Sequence, residues 1–338
     1  MIRRISTTAS LLLILFLDLH VAASDFIYAG NWGNNTIVKF DGKRKPIIFA
    51  DSSSHLNQPQ GLAFDAKGNL YVGNSGNNTI VKIDSSGHGT VFAHCNSPSG
   101  LVFDSKGNLL VSDAAGNRIW RFDSTGNSEI FADSVSGLKN PLALVFNTNG
   151  DLFVANWAGD NILKFDSNRV ATIFTSSVSN RPYGLALDLE GNLFVSNDAM
   201  DTIQKFAPDG RPSLFASLQP RTNNFISRIQ SLPLVRKYFR KPPVRMHSPG
   251  GLAIDSDGNL YAPCFWNDNI AGIDKRGRAF LFSNVALNKP IYVAVQPGPS
   301  SSILLCFIGL LMIVSVAYGA VILSRKSKGR SANLRCPS

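Results

Sequence analysis

The chain has 338 residues, 44% of them apolar and 17% charged, and a formal net charge of +10. That charge divides into +1 in residues 1–23, +5 after residue 323 and +7 in residues 219–247, which leaves the remaining body at −3. The high pI therefore does not argue for nucleic-acid binding, and the four cysteines, only Cys95 and Cys264 of them in the body, exclude a disulfide scaffold.

In chain order, Arg3 and Arg4 precede "LLLILFL" (11–17) and the small residues "VAA" (21–23). A basic start, a short apolar run and an A-x-A-like exit predict a secretory signal peptide over 1–23. Next comes "FIYAGNWGNNTIVKFDGKRKPIIFA" (26–50), which matches only the later part of a unit that recurs downstream.

That unit opens with Pro-x-Gly-Leu and continues to Gly-Asn-Leu followed by an aromatic or apolar residue and Val. Copies begin at Pro59, Pro98, Pro141, Pro182 and Pro249, with a truncated one, "PIYVAV", at Pro290. Within "PQGLAFDAKGNLYVGNSGNNTIVKIDSSGHGTVFAH" (59–94), four short alternating runs are separated by Asp-x-x-Gly and Asn/Gly turns. Four antiparallel strands in a period near 41 residues is the size of one propeller blade. Residues 26–50 supply the three strands that the copy at Pro290 lacks. The expected fold is all-β: a six-bladed β-propeller of four-stranded antiparallel blades over 24–297, closed by pairing N-terminal strands with the C-terminal one.

An insertion over 219–247 carries seven basic residues and no acid. It reads either as a solvated loop or as a docking site for an anionic partner. "DSDGN" (255–259) has the start of a calcium loop, but Leu260 stands where the frame needs Gly, so it reads as a hairpin turn. After a linker at 298–302, residues 303–323 form 21 uncharged, apolar residues, enough to span a bilayer as a helix. The basic tail 324–338 marks the cytoplasmic side. The reading is a single-pass membrane protein with its propeller outside. "QPGPSSS" (296–302), the apolar run and the basic cluster resemble a PEP-CTERM sorting signal, with Gly298 in place of the family's central Glu. That resemblance implies C-terminal processing as the alternative to permanent anchoring.

The units "PQGLAFDAKGNLYVGNSGNNTIVKID" (59–84) and "GNRIWRFD" (116–123) resemble the NHL-repeat propellers. The resemblance spans 25–297 and implies a fold that hosts both binding modules and enzymes. The gluconolactonase-like and strictosidine-synthase-like propellers are the enzymatic neighbours. Gluconolactonase-like enzymes use acids at some positions between Pro and Gly. Here those positions hold Gln60, Ser99, Leu142, Tyr183, Gly250 and Ile291, so no cofactor is expected and the lactonase reading is the alternative. His55, His94 and His247 lie in loops entering first strands, where three imidazoles suit zinc, but surface histidines are the simpler reading.

In this architecture the loops entering strand one and leaving strand two share a face around the channel mouth. The second ring begins at Asn31, Asn74, Asp113, Asn156, Asn197 and Cys264. Asn and Asp there are expected to cap turns through neighbouring backbone. Trp32, Trp157 and Trp266 fall in the same turns, with Tyr183 and Asp198 beside them, and suit either inter-blade packing or recognition of a small ligand, glycan or protein. The functional expectation is an exported, membrane-anchored, monomeric binding module.

Overall fold

Each unit folds where its turn chemistry dictates. In the first, Asp65 Oδ1 accepts hydrogen bonds from the backbone N–H groups of Lys67 and Asn69 at 2.9 and 2.8 Å, while Gly68 takes φ +82°. Asp255 does the same for Asp257 and Asn259, so "DSDGN" is a hairpin turn. The computed structural model describes residues 25–298 except 177, 179, 180 and 220–245. The leader 1–23, most of the insertion, the span 303–323 and the tail 324–338 lie outside the described residues. Among the described residues no helix is long and apolar enough to cross a membrane.

Residues 25–296 form a unit of six four-stranded antiparallel sheets, each one blade of a propeller. Blades one to three occupy 59–94, 98–132 and 141–175, blade four 182–217 and blade five 249–283. Blade six pairs Pro290–Gln296 with Phe26–Asn31, then Thr36–Phe40 and Pro46–Ala50. The closing register runs Ile27 to Val295 and Ala29 to Val293, and the Tyr28 hydroxyl donates to Gln296 Oε1 at 2.9 Å. The incomplete first copy and the incomplete last copy are one blade, as the spacing predicts. Blade five departs from the pattern in its first strand, which shortens to Ala253–Ile254 with an isolated bridge from Pro249 to Cys264.

The core follows the repeat. The last residue of every third strand is buried: Phe40, Ile83, Phe122, Phe165, Phe206 and Ile273. An aromatic on strand two meets a Phe on strand four edge-on in five blades, as Tyr71 meets Phe92 at 5.1 Å and Phe153 meets Phe174 at 5.0 Å. Blade two has Leu110 in the aromatic's place. Removing one of these buried rings is expected to cost about 3–5 kcal/mol.

Candidate binding site at the mouth of the ring axis

Two sets of polar residues shape the mouth face before any site appears on it. The first is a staple repeated six times. Asn35, Asn78, Asn117, Asp160, Asp201 and Asp268 sit just before strand three, each at φ between 47° and 59°. The side-chain oxygen of each accepts the backbone N–H of the residue preceding a blade proline: Gln58, Ser97, Asn140, Arg181, Ser248 and Lys289, at 2.6–3.0 Å. Those six residues are also at positive φ, from 43° to 58°. Asn and Asp tolerate the left-handed region better than other residues. One bond thus fixes two backbone corners and ties each blade to the next.

The second set is the ring that begins at strand-two ends. The structure places Asn31, Asn74, Asn156 and Asn197 beneath the mouth, each fully buried, and Asp113 3% exposed. Asn74 accepts from Asn57 N–H and donates to the His55 carbonyl and Thr79 hydroxyl. Asn31 engages Asn288, Ala286 and Thr36 in the same way, and Asn156 engages Lys139, Gly137 and Asn161. They anchor the loop entering their own blade. Asn197 donates to Gln204, while residue 180, which holds the equivalent of Asn57, is outside the described residues. Asp113 accepts from Gly116 N–H at 2.7 Å. Asn31, Asn74, Asn156 and Asp113 thus spend polar atoms on neighbouring backbone, whereas the buried Asn197 bonds the Thr202 and Gln204 side chains and its Oδ1 has no hydrogen-bond partner among the described residues.

The axis is filled in part. The position held by a small residue in five blades (Gly61, Gly100, Ala143, Gly184, Gly251) is Tyr292 in blade six. Its ring lies 5.8 Å from that of Tyr183 in blade four, and a Cβ on Gly251 of blade five would collide with it. Burial pushes the Tyr292 phenol well above its ordinary range, with the Ser99 hydroxyl of blade two pulling the other way. Blade five is the neighbour of blade six, but from blade six Tyr292 reaches blades two and four only across the axis. Ser99 and Tyr292 are both buried there. Tyr292 therefore fills part of the axis beneath the mouth.

At that mouth, between blades four, five and six, lies a hollow of about 190 Å³. Tyr183, Phe265, Trp266 and Ile291 form its walls, with Asp198 and Ser248 as its polar side chains. Trp266 is 71% exposed. The Ser248 hydroxyl donates to Asp198. Burial pushes the Tyr183 phenol well above its ordinary range, and Tyr292 and the Asp198 charge add to that shift. Larger hollows, about 520, 340 and 510 Å³, lie between blades two and three, three and four, and four and five. They recur from blade to blade at the outer grooves, so they are a product of the architecture.

The structure thus gathers three of the sequence-derived candidates, Tyr183, Asp198 and Trp266, and separates the other two aromatics. Trp157 packs on the core beneath Arg181, whose guanidinium lies 4.7 Å from the indole centre. Trp32 stands 6.0 Å from Phe265 under Lys289. Phe265 and Ser248 escaped the sequence reading. Phe265 sits one residue after the second ring, at the position of Trp32 and Trp157, and that alignment was the available signal.

His247 is bonded through Nδ1 to Asp201 Oδ2 at 2.6 Å, and Gln219 donates to the same oxygen. Both ends of the insertion therefore meet at the blade-four staple. The Ser248 hydroxyl faces a carboxylate rather than the imidazole, so these groups do not form a nucleophile–base pair. Among the described residues no three His, Cys, Asp or Glu side chains gather to hold a metal ion, and His55, His94 and His247 do not converge.

With that geometry in place, the class is a six-bladed propeller whose ring is stapled at every blade junction. The NHL-repeat family profile matches residues 56–83 and 96–122, so blades one and two of this propeller are NHL repeats. No curated protein sequence matches the chain as a relative. Among solved structures, a chain from a nidogen/laminin complex is similar at 17% identity and TM-score 0.65, covering 80% of this chain and 98% of that one. A virginiamycin B lyase from Staphylococcus aureus is similar at 13% identity and TM-score 0.53, covering 81% and 89%, and a streptogramin B lyase at 13% and 0.54, covering 82% and 94%. Likeness at this identity speaks for the fold alone.

Proposed function

We propose that the chain is an exported, membrane-anchored binding module that presents the mouth face of its propeller to a ligand or protein partner. The observation that carries this reading is the exposed Trp266 beside Phe265, Tyr183 and Asp198 on an otherwise closed face. An exposed Trp beside partly buried aromatics and two polar side chains, Asp198 and Ser248, is the composition of a recognition surface, because burial of the indole on binding is favourable. Export and anchoring rest on the leader 1–23 and the span 303–323. The propeller of similar fold found in a nidogen/laminin complex supports a protein-binding use.

The test is to screen the purified full chain against peptide and glycan arrays, side by side with Trp266→Ala. Hits that disappear in the variant support the mouth reading. Hits indifferent to Trp266→Ala contradict it.

A further inference from the structure

We infer that the mouth pocket takes a cationic side chain, a lysine or arginine presented by a protein partner. The inference rests on the binding-module reading and adds the chemistry of what is bound. Three aromatic side chains, Tyr183, Phe265 and Trp266, wall the pocket, and Asp198 supplies its single carboxylate. Among the described residues no basic residue lines it and no cation pairs with Asp198. Aromatic faces with a carboxylate beside them attract a cation twice, through the ring quadrupole and through charge.

The chain uses this chemistry itself at the neighbouring positions. Arg181 covers Trp157, and Lys289 lies 5.5 Å from the Trp32 ring centre and 5.8 Å from that of Phe265. Trp266, the most open of the three mouth tryptophans, has no such cation among the described residues. Size favours a side chain over a free molecule, because the hollow holds about 190 Å³ whereas pockets for drug-sized ligands hold about 300–1,000 Å³.

The experiment titrates the full chain with N-acetylarginine methylamide, N-acetyllysine methylamide and the neutral N-acetylcitrulline methylamide, following tryptophan fluorescence. The charged probes are expected to bind at least about ten-fold more tightly than citrulline, a difference of about 1.4 kcal/mol. Asp198→Asn is expected to bring the arginine probe down to the citrulline level, and Trp266→Ala to weaken both charged probes by about ten-fold. Equal binding of arginine and citrulline probes to the unmodified chain overturns the inference, even where Asp198→Asn does not fold. A chain lacking 221–244 that binds the arginine probe at least about ten-fold more tightly also overturns it, since the occupant is then the chain's own basic insertion. If array hits need Trp266 but no cation, this inference fails and the mouth reading stands. If nothing depends on Trp266, both fail.

Discussion

The six staples and the mouth pocket lie on the same face and differ in one respect: the staples repeat and the pocket does not. Asn or Asp recurs at position 35 and its five equivalents, bonded to backbone each time. Tyr183, Trp266 and Tyr292 are each the one aromatic at their position, Phe265 shares its position with Trp32 and Trp157, and all four belong to blades four, five and six. In a ring of equal units, a polar side chain found in every unit is answering a need that every unit has, which is holding its corner. A side chain found once is free to answer something else.

Variants that break this comparison should separate by size. The largest effect is expected from deleting residues 25–50, which removes three of the four strands of blade six and leaves two open edges. The cooperative unfolding transition followed by circular dichroism should disappear, whereas an account in which the blades are independent predicts five-sixths of the signal with a transition intact. Phe206→Ala should cost about 3–5 kcal/mol in denaturant unfolding, since the ring is fully buried where blades meet. A loss below about 1 kcal/mol there would contradict the packing described.

A smaller effect concerns pH. Burial raises the Tyr28 phenol to about 12 from its ordinary 10.0. A group whose folded value is raised stabilises the fold fully below its unfolded value and loses that contribution as pH rises through the folded one. Stability should therefore fall between pH 10 and 12, and Tyr28→Phe should flatten the fall. A melting temperature flat across that window would count against the burial of Tyr28.

How much of this was legible in the sequence follows the same division. The blade count, the shared sixth blade and the Asp-x-x-Gly turns were readable because period, proline and glycine encode backbone geometry directly. The face carrying Asn31, Asn74, Asp113, Asn156 and Asn197 was readable too, but not their depth. Whether an amide at a strand end faces solvent or the preceding loop depends on a fold of that loop which no local spacing records. The staple was visible as an Asn or Asp before each Thr-Ile, Arg-Ile or Asn-Ile, yet its partner lies 19–23 residues away, or 47 from Asp201, in the loop entering the next blade. The axis plug was readable only as an oddity, a Tyr where the other blades hold Gly or Ala. The leader 1–23, the span 303–323 and the basic tail remain statements about sequence alone.

The central claim is that the repeated polar positions hold the ring and that the mouth aromatics do not. Its most direct test is denaturant unfolding of Asn117→Ala beside Trp266→Ala. Asn117 holds the Asn140 N–H at 2.7 Å, so its loss should cost about 1–3 kcal/mol. Trp266, 71% exposed, should cost no more than about 0.5 kcal/mol. A Trp266→Ala protein destabilised as much as the Asn117→Ala protein would make the tryptophan part of the scaffold and contradict the account.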